Sequence, residues 1–454
     1  MSVQSGGPEL KSTALLELAE ATQARALREG ADEVKVSVSR SRGVEVEWRD
    51  GSLERVQDQT TQRLSLTLYV KGRYSAHSTN DLRGEALDTF VRDAVAMTRY
   101  LEADPYRKLP DPARYAGRAA LDLELADPSL AERSGETRRR DAETLESLTR
   151  EAAEGLSVIS VTSSISDAVG CSARVHSNGF FGAREGTHCA ATVQLTLQDE
   201  EGKRPMGWDY SARRHAEDLR ELSEIAQKAS DRAAGMLSPK ALETGRYSVV
   251  VDRRALSRLL SALISPLSGA SLQQRQSLWE GRVGTQIASP LLSIYDEPHR
   301  PRSFGAALWD SDGFATHRRP LIEAGVLQTF LIDDYYARKL EQAPTGGDLH
   351  QLEWSLGNRD RAAIIASIQD GVLIDRFLGG NSNQSSGEFS FGCGGHRIRG
   401  GVIAEPVSEI NISGDLERFW GQLVEVGNDP YQESASACPS CLFEGVQLSG
   451  GTKS

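Results

Sequence analysis

The hydrophobic pattern at the start of the chain changes from a helical period to a strand period. Residues 12–29 place apolar and small side chains on one helical face, and Gly30 follows as a typical helix end. Alternating runs at residues 34–38, 44–48 and 64–70 then indicate strands, with a turn at Asp50-Gly51. The pattern therefore predicts a helix followed by a meander of about four strands.

A second unit with the same order of elements follows the first. A helix that begins at Asn80 or Asp81 and extends to Leu101 closes the first unit, and prolines between residues 105 and 112 separate the two. The second unit is predicted to contain a helix over residues 136–156, strands over 158–163, 168–176 and 189–197, and a helix over 213–236. This repetition suggests a structural duplication.

The remaining chain has a different character. Beyond a composition shift at residues 238–245, alternating strands are separated by glycine-rich turns, and one apolar helix is predicted over residues 254–267. We therefore predict an α+β fold with a duplicated helix, strands, helix N-terminal half and a mostly β, mixed-sheet or barrel-like C-terminal half. The expected domains are residues 1–117, 118–240 and 241–450.

Charge and composition exclude several classes of protein. The 454 residues contain 52 Lys plus Arg and 64 Asp plus Glu, a net charge of −12 that argues against nucleic acid as a partner. No window is apolar enough to span a membrane, and residues 1–11 lack a signal-peptide apolar stretch. We expect a cytoplasmic protein, in which the five cysteines are reduced rather than a disulfide framework.

Four residues near the C-terminus have the composition of a zinc ligand set. Cys393 and His396 lie three positions apart, as do Cys438 and Cys441. Two such pairs complete a Cys₃His tetrahedron if their turns converge in space. Two alternatives remain open, namely unrelated buried side chains and a redox pair at Cys438 and Cys441.

Other polar groups have simpler interpretations. The acidic doublets Asp296-Glu297 and Asp333-Asp334 are typical of surface turns, although carboxylate pairs also serve as acid and base. Arg138-Arg139-Arg140 lies in a helix rich in acidic residues and is most simply a solvated face. The sequence contains no His-Glu-x-x-His zinc motif, phosphate-binding loop or dinucleotide fingerprint.

Short motifs occur along almost the whole chain. The more specific ones include Asp310-Ser311-Asp312-Gly313, Thr345-Gly346-Gly347 and Val426-Gly427-Asn428-Asp429. Others lie at residues 43–47, 75–82, 110–112, 288–292, 296–298, 321–327, 337–340, 371–373, 387–390, 406–407 and 412–414. In this order, the motifs resemble those of the PmbA (TldE) branch of the TldD/PmbA family.

The resemblance implies one subunit of a heterodimeric zinc metalloprotease. In this family a TldD subunit carries a zinc-binding His-Glu-x-x-x-His helix, which the PmbA-like subunit lacks. The matching positions here are Ser261, Ala262 and Pro266. Since none of them replaces an imidazole or the catalytic carboxylate, the chain alone is expected to be non-catalytic and to hold no cofactor, with zinc in the partner.

The resemblance also implies partners and leaves alternatives. The expected partners are a TldD-like catalytic subunit and an unfolded peptide, which an edge strand binds through its backbone, although the sequence does not show which strand. Cys393 and His396 depart from the branch's usual residues. The alternatives are therefore a stand-alone zinc-binding protein that uses Cys393, His396, Cys438 and Cys441, or a non-enzymatic peptide-binding homodimer.

Overall fold

The first two units of the chain form one sheet. The computed structural model describes residues 12–450. Its N-terminal half contains a six-stranded antiparallel sheet in the order β3-β2-β1-β4-β5-β6. The elements of the first unit are α1 (Ser12–Arg28), β1 (Glu33–Arg49), β2 (Ser52–Val70), β3 (Arg73–Thr79) and α2 (Gly84–Thr98); those of the second are α3 (Ser129–Glu132), α4 (Gly135–Ala152), β4 (Val158–His176), β5 (Phe181–Leu197), β6 (Met206–Arg213) and α5 (Leu222–Ala234).

Strands β1 and β4 join the two units at the centre of this sheet. Their register extends from Lys35 opposite His176 to Arg49 opposite Thr162. Each unit contributes three consecutive strands, and the strand order is the same in both units when it is read outward from this pair. The predicted duplication of a helix, strands, helix unit is confirmed.

Some predicted strands merge. The two runs at residues 34–38 and 44–48 are parts of β1, and those at 158–163 and 168–176 are parts of β4. The intervening polar residues stay in the ladder because strand neighbours on both sides satisfy their backbone groups. Each meander therefore has two long strands and one short one, and the prediction of about four was wrong for the first.

The predicted helix over residues 213–236 was wrong in its first part. Strand β6 ends at Arg213, and α5 begins only at Leu222. The buried face of β6 consists of Gly207, Asp209 and Ser211, so the strand lacks the apolar alternation that identifies strands in a sequence.

The interpretation of Arg138-Arg139-Arg140 as a solvated face was wrong for Arg138. Its side chain is buried, and its guanidinium donates two hydrogen bonds, of 2.8 and 2.7 Å, to the buried carboxylate of Asp167 on β4. Arg139, in contrast, is half-exposed and pairs with Glu136 and Glu143 on the same helix.

The C-terminal half is built around a barrel. Strands in the order β14-β13-β12-β7-β16-β15 form a mixed sheet, which the pairing of β14 with β16 closes. A small four-stranded sheet, β10-β9-β8-β11, packs beside it. The elements are β7 (Gly245–Val251), α6 (Ser257–Ile264), α7 (Gly269–Gln273), β8 (Ile294–Asp296), β9 (Arg319–Glu323), β10 (Val326–Leu327), α8 (Asp334–Lys339), β11 (Leu352–Trp354), α9 (Arg361–Ala366), β12 (Asp370–Ser382), β13 (Glu388–Arg399), β14 (Val402–Asp415), α10 (Leu416–Gly421), β15 (Leu423–Val426) and β16 (Cys441–Ser449).

The largest hydrophobic core lies in this half. It encloses α6, whose leucines are buried together with Trp279, Trp420 and Phe443. The indole of Trp279 donates a 3.0 Å hydrogen bond to the carbonyl of Leu263, which fixes α6 against the segment that follows it. This confirms the predicted α+β class with a barrel-like C-terminal half. Within residues 12–450, no helix is long and apolar enough to cross a membrane.

Strand β6 approaches α5 so closely at Gly207 that no side chain fits there. A Cβ atom at this position would lie 2.4 Å from the nitrogen of Ala233 and 2.5 Å from the carbonyl oxygen of Ala229. Because a packed helix must move to relieve such an overlap, Gly207→Ala is expected to lower the free energy of unfolding by about 1–3 kcal/mol in urea denaturation. Gly43→Ala on β1 is the control, since its Cβ would meet only ordinary contacts at 3.9 Å. Equal stability of the two variants would contradict this packing.

Candidate functional site

Helix α6 holds the positions that the resemblance equates with the zinc motif. Ser261 is exposed, and its hydroxyl donates a 2.8 Å hydrogen bond to the carbonyl of Ser257. Ala262 and Pro266 are buried, the latter in a 3₁₀ turn directly after the helix. Zinc requires thiolate, imidazole or carboxylate ligands. The side chains at these positions therefore do not fit a zinc ion.

The C-terminal end of α6 faces a cavity of about 690 Å³, here called the central cavity. Ile264 and Ser265 line it from the barrel domain. Polar residues of the large sheet form the opposite wall, among them Ser37, Ser65 and Arg174. The cavity therefore lies between the duplicated half and the C-terminal half, at the place where the motif helix ends.

A cluster of buried and partly buried charges connects the two halves beside this cavity. Lys35 on β1 donates a 2.5 Å hydrogen bond from Nζ to the carbonyl of Ser311. Arg174 on β4 donates to the carbonyls of Asp310 and Ser311 at 3.1 and 3.0 Å. The carboxylate of Asp348 accepts from the backbone nitrogen and the hydroxyl of Ser311. The loop at residues 310–313 is thus fixed from both sides.

Burial in this cluster shifts several pKa values. Burial, together with the neighbouring carboxylate of Asp312, raises the pKa of Asp310 to about 6. Burial also raises the pKa of Asp312, against the attraction of Lys35. The pKa of Lys35 is lowered, first by burial and then by the positive charge of Arg174. Asp310 is therefore able to exchange a proton near neutral pH.

Asp296, one of the acidic residues in the predicted doublets, is a structural clamp. Its buried carboxylate lies 3.0 Å from Nδ1 of His350 and accepts a 3.1 Å hydrogen bond from Arg319. Arg319 also donates to the carbonyl of Gly346 at 2.9 Å. His350 lines both the central cavity and a neighbouring cavity of about 680 Å³. The clamp thus positions the loop that separates these two cavities.

The other doublet serves local structure. Asp333 caps α8 by accepting a 2.7 Å hydrogen bond from the backbone nitrogen of Tyr336. Asp334 forms an ion pair with Arg338 one turn further along this helix. Both contacts are typical of a helix N-terminus.

The four residues of the predicted zinc set do not come together in one ligand group. Cys393, Cys438 and Cys441 lie in the barrel core, whereas His396 lines a separate cavity, with its Nδ1 3.0 Å from Asp375. Positions three apart in a strand point to opposite faces, and both Cys393 and His396 lie on β13. Among residues 12–450, no group of three or more His, Cys, Asp or Glu side chains is arranged to hold a metal.

The environment of the three thiols keeps them protonated. Burial raises the pKa of Cys393 and of Cys438 to about 12. Burial also raises the pKa of Cys441 well above its usual value. Since the thiolate is the form that binds metals and attacks disulfides, these cysteines behave as small apolar side chains at neutral pH.

Family models cover most of the chain. The PmbA/TldA metallopeptidase domain 1 matches residues 34–98, the central domain of the same family matches residues 124–237, and its C-terminal domain matches residues 244–450. The chain belongs to the PmbA/TldD metallopeptidase family. Each matched range lies within one of the three domains expected from the sequence.

Individual relatives of this metallopeptidase-family chain extend over nearly its full length. Metalloprotease PmbA of Escherichia coli O157:H7 is 27% identical over 431 residues, which cover 92% of this chain and 93% of the relative. The crystal structure of a putative modulator of DNA gyrase from Bacteroides thetaiotaomicron is 37% identical, with a TM-score of 0.92, and covers 96% of this chain and 98% of that one. TldE from Thermococcus kodakarensis shares the fold, with a TM-score of 0.83 at 21% identity over 95% of this chain and 100% of that one.

Sequence reasoning missed most of the charges that line the cavities. Lys35 and Arg174 lie on predicted strands, but nothing in their local sequence indicates that they meet the loop at residues 310–313. The motif Asp310-Ser311-Asp312-Gly313 was the available signal, since two acidic residues flank a small turn there. The adjacent pair Arg253-Arg254, which precedes α6, was a signal for the cavity that His396 lines, since both arginines lie in its wall.

The raised pKa of Asp310 predicts a pH dependence of stability. A carboxyl group with a raised pKa in the folded state stabilises the protein fully below its unfolded pKa, and this contribution is lost as the pH rises through about 6. Asp310→Asn keeps the oxygen that accepts from Phe314 but removes the titration. Between about pH 4 and pH 7, we expect the variant to lose roughly 2 kcal/mol less stability than the parent in urea denaturation. Parallel pH profiles would contradict the assignment.

The predicted Cys₃His zinc site is tested by metal content. Because the thiols are buried among apolar side chains and separated from His396, we expect the purified chain to contain essentially no zinc by elemental analysis. Cys438→Ser should leave this content unchanged. Stoichiometric zinc that is lost in Cys438→Ser, but retained in the control Cys189→Ser, would instead establish the zinc-binding alternative.

Proposed function

We propose that this chain is the non-catalytic, TldE-like subunit of a heterodimeric zinc metalloprotease that degrades or trims unfolded peptides. The observation that carries the proposal is the state of α6. The helix follows β7, packs in the barrel core and ends at the central cavity, yet its motif positions are Ser261, Ala262 and Pro266. A helix with this placement and without ligands supports a role beside a zinc-bearing partner rather than in place of it.

Names among the relatives support a partner of the TldD type. A zinc metalloprotease TldD homolog from Saccharolobus solfataricus is 26% identical over 249 residues, so TldD-type and PmbA-type chains share recognisable sequence with this one. In the proposed complex the zinc ion and the residue that activates its water belong to the partner. This chain contributes a wall of the cavity and surfaces that bind the peptide.

The edges of the large sheet differ in their ability to bind a peptide backbone. At β6, Arg232 donates to the carbonyl of Trp208 at 3.0 Å, and Arg220 donates to the carbonyl of Tyr210 at 2.5 Å. Glu433 accepts from the backbone nitrogen of Ala212 at 2.7 Å. Side chains therefore already satisfy three backbone groups of β6, and a peptide strand would have to displace them.

The opposite edge strand, β3, is the one that we propose for backbone pairing with a peptide. Within the described chain, a single bridge, between Arg73 and Ala103, lies along its outer edge. Backbone pairing of this kind accepts any unfolded sequence, because the hydrogen bonds involve only main-chain groups. This suits a protease that acts on unstructured substrates.

Activity measurements with and without a partner test the proposal. The isolated chain is expected to show no peptidase activity on an unfolded peptide with added zinc, since α6 offers no ligand for the ion. Co-expression with a TldD-type chain should give a complex in size-exclusion chromatography that hydrolyses the peptide.

A matched control is the same complex with the zinc-binding histidines of the partner replaced, which should assemble but not hydrolyse. Robust hydrolysis by the isolated chain would overturn the proposal. If the chain forms a stable homodimer that does not bind the TldD-type chain, the result would favour the alternative of a peptide-binding homodimer.

A further inference from the structure

The cavity that His396 lines, of about 700 Å³, lies at the opposite end of α6 from the central cavity. It is here called the arginine cavity and is defined by Arg253, Arg254 and Arg258 at the start of the helix and by Trp208 on β6. Seven basic side chains and only three carboxylates line it, in a chain whose net charge is −12. The cavity is therefore a local reversal of the protein's overall charge.

Several of these cations have no carboxylate partner. Four of the seven, Arg232, Arg254, Arg361 and Arg376, lie within 4 Å of a carboxylate. Among the described residues, no ion pair within 4 Å involves Arg253, Arg258 or Lys228. The guanidinium of Arg253 donates a 3.4 Å hydrogen bond to the carbonyl of Asp429, and that of Arg258 donates to the carbonyl of Gly380 and lies over the ring of Phe391. Unpaired guanidinium groups in a concave site favour an anionic ligand.

Arg254 is partly buried against an aromatic ring. Its guanidinium lies over the indole of Trp208, 4.5 Å from the ring centroid. The nearest carboxylate is Asp209 at 3.7 Å, and that carboxylate already pairs with Arg220 and Arg232. Burial lowers the pKa of Arg254, so its charged form is left without full compensation.

Two planar groups contact the indole of Trp208. Tyr210 stacks on it, with ring centroids 5.6 Å apart and an interplanar angle of 18°, and the guanidinium of Arg254 lies over the same ring. Guanidinium groups match the geometry of carboxylates through paired hydrogen bonds, so the arginines of this cavity favour a carboxylate ligand.

The size and apolar lining of the cavity indicate more than a small acid. Met206, Met236, Phe377 and Ile403 line it beside the arginines. Methionine side chains adapt to irregular apolar groups, and the volume accommodates several side chains. A peptide segment with acidic and apolar residues satisfies both parts of the lining.

We propose that the arginine cavity binds the carboxylates of an acidic segment of an unfolded peptide, with Arg253, Arg254 and Arg258 as the recognising groups. The inference rests on the proposed function in taking a peptide as the ligand, and it names the class of peptide. Binding at this cavity requires neither zinc nor the catalytic partner, because every group involved belongs to this chain.

Fluorescence anisotropy on the isolated chain tests this inference. The probe is a labelled, unstructured peptide rich in glutamate and leucine, and the reference is the same peptide with every glutamate replaced by glutamine. The glutamate peptide is expected to bind at least about tenfold more tightly, since each charge-assisted hydrogen bond contributes that much or more. Added salt should weaken its binding.

Matched arginine variants test whether the peptide binds in the arginine cavity. Arg253→Gln is expected to raise the Kd of the glutamate peptide about tenfold and to leave that of the glutamine peptide unchanged. Arg92→Gln, an exposed position on α2, should change neither. If Arg253→Gln loses its native circular dichroism spectrum, Arg258→Gln takes its place, with the same expected rise in the Kd of the glutamate peptide.

Three results would overturn the inference. The first is an equal Kd for the two peptides, and the second is an unchanged Kd of the glutamate peptide in the folded arginine variants. The third is tighter binding of adenosine monophosphate than of the glutamate peptide, if Arg253→Gln abolishes the binding of that nucleotide. Failure of the TldD-type complex to hydrolyse peptides would overturn only the proposed function, since peptide binding is measured here without a partner.

Discussion

The antiparallel pairing of β1 with β4 is the interaction on which the rest of the molecule depends. It joins the two duplicated units into one continuous sheet, and the two meanders extend outward from it. Lys35 and Arg174 lie on these two strands, so the same pairing brings both cations to the loop at residues 310–313. This ladder therefore supplies part of the sheet wall of the central cavity and both of the cations that hold the loop.

The sequence allowed the class of fold to be predicted wherever the burial of apolar side chains determined the pattern. Strands β1, β2, β4 and β5 alternate clearly, and α1, α2 and α4 have apolar faces. Strand β6 was missed because its buried face is Gly207, Asp209 and Ser211, where close helix packing and ion pairs replace apolar contacts. Arg138 was misplaced for a related reason, since Asp167, its partner, lies in a different element.

The candidate sites show the same limit. The motif positions on α6 follow from family order, but neither cavity was predictable, because each assembles residues that are far apart in the sequence. Arg254 meets Trp208 and Asp209 only after the barrel packs against the sheet. The predicted zinc ligands show the opposite case, in which a suitable spacing in the sequence does not bring residues together. Cys393, Cys438 and Cys441 lie in the core, whereas the alternation of β13 places His396 on its other face.

The guanidinium groups that occupy the outer edge of β6 have a consequence for assembly. A sheet with two open edges can add strands at both ends, and repeated addition produces a fibre. Arg220, Arg232 and Glu433 close one end of this sheet with side chains. Growth by strand addition is thus restricted to the β3 end, and a second sheet that joins there through its own β3 leaves no free edge. Such pairing terminates at two molecules.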